Sequence, residues 1–262
     1  MKMSKLKRAV CAVATFGALM ASGAAHAELK AFYTFEDSLN DLSGNGYTGS
    51  SANGAGYAAG HEGQALDLDD ALNQYVSVSG LDINPSSMPA ITFGAWVNAG
   101  AESAVRGVLS HDDGGFDRTI DIDFRGTSTG WSAFLGNGVV HGAPVTTGAW
   151  TFIALRHDQA TGALSFNVDG VQLDVAGVTF GEGYGDFFIG RNPCCDAPFD
   201  GRIDNVFVYD EFLSDERLSE IRLGGASAIA PVPEPQTWLM FGIGALLLAG
   251  VARRRCAILR TC

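Results

Sequence analysis

"GAWTFIALRHDQATGALSFNVDGVQL", residues 148–173, decides the fold. Leu164, Phe166 and Val168 alternate with Ser165 and Asn167, and Asp169-Gly170 then turns the chain into Val171, Leu173 and Val175. Period-2 alternation on both sides of an Asp-Gly pair signals a β-hairpin, because both residues tolerate the positive φ of a two-residue turn. Trp150–Arg156, just upstream, is a further strand candidate. Outward from here the pattern repeats at Gln74–Ser79, Ile91–Val97, Asp186–Ile189 and Ile203–Tyr209. Ile120, Ile122 and Phe124 alternate with Asp121 and Asp123, which predicts a strand with one wet face. The 34 glycines fall mostly between these runs. Many short strands, Gly-rich turns and almost no helix predict an all-β fold, a two-sheet antiparallel jelly-roll β-sandwich.

One helix is predicted near the end of this body. Ser214 suits the N-cap, Asp215 and Glu216 sit at the positive end, Leu218 and Ile221 give an apolar side, and Gly224 is a stop. Residues 224–236 then turn small and Pro-rich, as a linker would. At the other end, Lys2, Lys5, Lys7 and Arg8 precede an apolar run that closes on Ala25-His26-Ala27. A basic start, a short apolar core and an A-x-A ending mark residues 1–27 as a secretory signal peptide cleaved after Ala27. The domain itself is therefore read as 28–223, outside the cytoplasm.

The whole chain carries a formal net charge of −12, but eight of its bases lie in the two ends. From Glu28 to Ala230, 9 basic residues face 28 acidic ones. So acidic a body repels nucleic acid and anionic membrane surfaces, and its carboxylates are the hard oxygen ligands that suit Ca²⁺. Only Cys194 and Cys195 belong to the exported body. Adjacent Cα atoms stand ~3.8 Å apart, short of the usual ~4.4–6.8 Å disulfide span. A strained bond between them, free thiols and intermolecular links all remain open. No conventional disulfide staples the domain, so burial of its core must stabilise it.

The order of these pieces carries a resemblance. "LKAFYTFEDSLNDLSGNGYTG" (29–49), "QYVSVSG" (74–80), "ITFGAWVNAG" (91–100), the 148–173 stretch, "FFIGRN" (187–192) and "FDGRIDNVFVYDEFLSDERLSEI" (199–221) follow one another as in laminin-G-like domains. The chain thus resembles the concanavalin A-like lectin/glucanase superfamily over roughly 29–223. The resemblance implies a jelly roll and a lectin-like binding or structural role.

It also implies a calcium site. Asp41 and Asn45 lie in a glycine-bearing loop with Ser43 between them, and the Asp of the G-x-I-D motif, Asp204, often lies beside that loop in such domains. A structural Ca²⁺ held by Asp41, Asn45 and Asp204 is one reading; ordinary turn formers and a backbone cap are the other. For sugar, Trp131 and Tyr184 are the surface aromatics expected near loops, whereas Trp96 and Trp150 fall at core positions of the family. Glucanases of the superfamily carry Glu-x-Asp-x-Glu on one strand; here Asp121-Ile122-Asp123 comes nearest and has no glutamate. A polysaccharide hydrolase or lyase is therefore the alternative, and no catalytic residue is assigned. His111-Asp112-Asp113 and Asp67-Leu68-Asp69-Asp70 read as acidic loops without zinc spacing.

Near the end, Pro233-Glu234-Pro235 precedes a mostly apolar run from Thr237 to Ala252, ~24 Å as a helix against a ~30 Å hydrocarbon core. Arg253, Arg254 and Arg255 follow and favour a cytoplasmic tail over 253–262. This tripartite pattern resembles the PEP-CTERM sorting signal read by exosortases. It implies a precursor held in the inner membrane across 237–252, an exosortase-type partner, and a cell-surface or extracellular destination where polysaccharide is the expected ligand. A plain single-pass anchor is the alternative.

Overall fold

The computed structural model describes residues 28–100, 104–125 and 130–229. The signal peptide, Pro233, Glu234, Pro235, the apolar run 237–252 and Arg253, Arg254 and Arg255 lie outside the described residues. Two antiparallel sheets face each other. The eight-stranded sheet runs β13 (Val171–Val175), β12 (Ala163–Val168), β11 (Trp150–Asp158), β6 (Ala90–Ala99), β15 (Gly201–Tyr209), β4 (Gln64–Leu68) and β3 (Gly56–Ala59), with β1 (Leu29–Tyr33) also paired to β15. The seven-stranded sheet runs β10 (Val139–His141), β9 (Gly130–Phe134), β8 (Thr119–Asp123), β7 (Arg106–Ser110), β14 (Phe187–Ile189), β5 (Tyr75–Val78) and β2 (Ser50–Ala52). The all-β sandwich expected from the alternation is the fold observed. The Asp169-Gly170 hairpin joins β12 to β13 with Val168 opposite Val171, and Asp169 takes the left-handed conformation that its turn requires (φ 51°).

Alternation divides each strand between two environments. On β6, Phe93, Ala95 and Val97 enter the core between the sheets with Ile120, Ile122, Phe187 and Ile189. Trp96 points the other way, into a second apolar cluster with Phe32, Phe152, Phe207 and Tyr209. Because both faces of β6 are covered, it reads as a nearly continuous apolar run. Gly94 sits at the tightest point of that packing. A Cβ there would run into the Ile153 carbonyl and lie 2.8 Å from the Phe207 ring, so only glycine fits.

The second cluster is roofed by α1 (Asp215–Gly224) and α2 (Ala226–Ile229). Ser214 caps α1 as expected, its hydroxyl accepting the Arg217 N–H at 3.2 Å, and Leu218 and Ile221 are buried beneath it. Residues 226–229, expected to belong to the linker, are instead packed on the body. Ile229 is buried, the Tyr209 hydroxyl donates to its carbonyl at 2.9 Å, and the Ala226 N–H donates to Glu62 at 2.7 Å. A short segment of small residues docks here because it carries one large apolar side chain and backbone groups with partners. Among the described residues, no helix is long and apolar enough to cross a membrane.

Candidate functional site on the seven-stranded sheet

The outward face of the seven-stranded sheet carries a row of aromatic side chains. On β5, Val76 and Val78 are in the core, so Tyr75 and Ser77 face out. On β14, Phe187 and Ile189 are in the core, and Phe188 faces out opposite Ser77. Tyr184 extends the row: its ring centroid lies 6.2 Å from that of Phe188, which in turn lies 6.2 Å from Tyr75. The Arg191 guanidinium sits 4.8 Å over the Tyr75 ring. Tyr184 is 46 % exposed, and Tyr75, Phe188 and Arg191 are half-buried.

Backbone bonds hold Tyr184 in place. Its N–H donates to the His111 carbonyl at 2.7 Å, and its own carbonyl meets His111 Nδ1 at 3.2 Å. Asn84 accepts the neighbouring Gly183 N–H at 2.6 Å. The result is a fixed aromatic strip with polar groups at its margin. The sequence reading missed Tyr75, Phe188 and Arg191. Strict alternation within 74–79 and 186–189 was the signal that could have found the first two, since it leaves one aromatic on the face opposite the core.

Trp131, expected as the other surface aromatic, is a correction. It lies on β9 opposite Ile122, in the core between the sheets, and is 1 % exposed. Its preceding glycine-rich loop lies mostly outside the described residues, but the strand's alternation turns the indole inward. The wet face expected for Asp121 and Asp123 is a correction too, because both are buried. Ser132 donates to Asp121 Oδ1 at 2.6 Å, while Oδ2 has no partner. Burial pushes the Asp121 carboxyl up to about 8, the nearby Asp196 and Asp123 adding to the shift. Burial acts on Asp123 in the same direction, but hydrogen bonds from Arg125 outweigh it and hold that carboxyl below the usual range.

The three calcium candidates have different occupations. Asp41 is a loop former: its carboxylate accepts the N–H groups of Phe32, Ser43, Gly46 and Tyr47 and the Ser43 hydroxyl. Asn45 donates its amide to the carbonyls of Leu29 and Lys30. Asp204 shares no partner with either; its Oδ2 accepts the Glu62 N–H at 2.9 Å. Its Oδ1 and the Oδ1 of Asn205 are both buried and without partners. Burial raises the Asp204 carboxyl to about 6, against the pull of backbone N–H groups from Glu62, Asn205 and His61. Of the possibilities for the adjacent cysteines, the structure shows a bond between Cys194 and Cys195.

A family model described as the concanavalin A-like lectin/glucanases superfamily matches residues 69–219, and a PEP-CTERM protein-sorting motif matches residues 231–255. No curated protein matches the sequence. Among solved structures, domain 4 of AbnA, an extracellular GH43 arabinanase from Geobacillus stearothermophilus, in complex with arabinotriose, is 22 % identical at a TM-score of 0.60, with 75 % of this chain and 98 % of that one covered. The binding domain of Paraclostridial Mosquitocidal Protein 1 is 14 % identical at a TM-score of 0.60, covering 74 % of this chain and 52 % of that one. The binding domain of botulinum neurotoxin DC in complex with SialylT is 9 % identical at 0.57, covering 75 % and 51 %. At these identities the likeness is one of fold, and the chain spans about half the length of the two toxin fragments.

Proposed function

The chain belongs to the concanavalin A-like lectin/glucanases superfamily, and on that premise we propose that it is an exported, non-catalytic glycan-binding protein of the cell surface or extracellular matrix. The observation that carries this reading is the row Tyr184, Phe188 and Tyr75. Aromatic faces stack on the apolar faces of sugar rings, and polar groups at the margin choose among hydroxyl patterns. The arabinanase domain was solved with arabinotriose and the neurotoxin domain with SialylT; both likenesses support the class of ligand. The PEP-CTERM motif makes the chain an exported, membrane-anchored precursor, and we assign its processing to an exosortase-type enzyme.

The test is glycan-array binding by the exported chain purified in detergent. Tyr184→Ala and Tyr75→Ala should each weaken binding about tenfold, the equivalent of ~1.4 kcal/mol, with melting temperature little changed because neither ring is in the core. No glycan bound by wild type, or full binding by both variants, rejects the reading.

One observation favours the hydrolase alternative: Asp121 and Asp123 have their pKa values pushed apart, as an acid/base pair does. Against it, both carboxylates are buried and Asp123 is tied to Arg125 at 2.9 Å. Calcium, in this proposal, is held at Asp204 with Asn205, whose two buried oxygens lack donors. Asp41 does not fit it, since its oxygens already accept five hydrogen bonds, and Asn45, whose amide N–H groups go to the Leu29 and Lys30 carbonyls, shares no hydrogen-bond partner with Asp204. Asp204→Asn should bind one calcium fewer than wild type by equilibrium dialysis; an unchanged count would remove calcium from that position.

A further inference from the structure

Arg191 stands just beyond the end of β14, and its base is fixed on both sides. Gly190 takes a left-handed turn (φ 82°) that suits glycine, and a Cβ there would run into Leu68. Its N–H donates to the Val108 carbonyl at 2.7 Å, and its carbonyl accepts the Phe199 N–H at 2.9 Å. Asn192 is buried and donates its amide to Asp112 and Asp196 at 3.1 and 2.9 Å. Between these anchors the Arg191 side chain lies back over Tyr75, its guanidinium 4.8 Å from the ring centroid. Stacking uses the face of the guanidinium and none of its N–H donors.

From Glu28 to Ala230, 28 acidic residues compete for 9 bases. Lys30, Arg106, Arg125, Arg156, Arg202 and Arg217 each hold a carboxylate, and Arg118 turns its guanidinium to the carbonyls of Ile83 and Met88. Arg222 lies against Gly170 on the other sheet. Arg191 meets an aromatic ring instead, with neither an ion pair nor a side-chain hydrogen bond among the described residues. The acids toward the Tyr184 end of the row are engaged elsewhere. Asp186 accepts the Ser79 hydroxyl and the Gly80 N–H, and Glu182 accepts the N–H and hydroxyl of Ser86. The row therefore has one cationic end, at Tyr75. The negative charge of the whole chain does not cancel it, since charges beyond about 8 Å are largely screened at physiological ionic strength.

We propose that the aromatic row takes acidic glycans, Arg191 pairing with the carboxylate of a uronate or sialate residue while sugar rings stack on Phe188 and Tyr184. This rests on the glycan reading of the row and adds the class of sugar to it. A guanidinium fork meets a carboxylate through two parallel N–H···O bonds, which gives direction as well as energy. The stacked arginine is already held in place, so little side-chain freedom is lost when the ligand arrives. Sulfate is the rival anion.

The exported chain, purified in detergent, is applied to an array of uronate, sialate, sulfated and neutral oligosaccharides, each carboxylated glycan printed beside its own methyl ester. Wild type should bind its best carboxylated glycan at least about tenfold more tightly than the ester of that glycan. Raising the salt to about 0.5 M should narrow the gap. Arg191→Gln should bring acid and ester to within about twofold of each other. That ratio is read within one variant, so it does not depend on how much of the variant is folded. Arg191→Lys should keep part of the preference, because the charge remains while the fork is lost. Equal affinity of wild type for acid and ester, a preference for sulfated over carboxylated glycans, or an undiminished preference in Arg191→Gln overturns the proposal and leaves the glycan reading standing. Binding to no glycan at all rejects both.

Discussion

Asp121 faces Asp196 and Asp123 from the middle of the seven-stranded sheet, with one oxygen on Ser132 and the other unpartnered. Its folded pKa of about 8 stands far above the ordinary 3.8. Between those values the folded chain binds a proton that the unfolded chain has released. The stability from that proton is fully present below about pH 4 and is lost as pH rises through 8. Asp121→Asn keeps the shape without the titration. We expect the variant to be more stable than wild type at pH 8 by at least about 1 kcal/mol, roughly 2–4 °C in melting temperature. The gap should narrow toward pH 5 and glycan binding should be unchanged. Equal melting curves at pH 8 would show that the carboxylate is relieved in some other way, and loss of glycan cleavage in a folded variant would favour the hydrolase. Residue identity alone did not reveal this burial. Asp121 and Asp123 alternate with isoleucines as solvent-facing residues do, and Asp196, whose charge reaches both, lies some seventy residues further on.

Elements were legible where local chemistry and tertiary packing agreed. The Asp169-Gly170 turn, the paired alternation of β12 and β13, and the Ser214 cap all appear where the chain's own periodicity places them. Short-range rules failed where a partner distant in sequence decided the outcome. Residues 226–229 read as linker, yet Tyr209 and Glu62 supply the hydrogen bonds that dock them. Trp131 followed a glycine-rich loop and read as surface, yet its pairing opposite Ile122 turns it inward. Phe188 escaped notice for the converse reason: it sits in an apolar triplet, whose alternation sends Phe187 and Ile189 into the core and Phe188 to the other face, where it lies opposite Ser77 and Ser110.

At the scale of the whole molecule, the two ends of the folded body meet: β1 pairs with β15, and α2 closes over the same sheet. The described residues end at Ile229, three residues before Pro233-Glu234-Pro235. Prolines lack N–H donors and disfavour helix before them, which is the chemistry expected of a strand that offers Glu234 to a processing enzyme. Replacing both with alanine restores the donors and lets a helix from Thr237 grow upstream across Glu234. In a host with an active exosortase, the double variant should stay in the inner membrane at the size left by signal-peptide cleavage alone. Wild type should lose 237–262 and appear beyond that membrane. Mass spectrometry of the mature C-terminus decides between them, and wild-type protein still ending in Cys262 in such a host would make the segment a plain anchor.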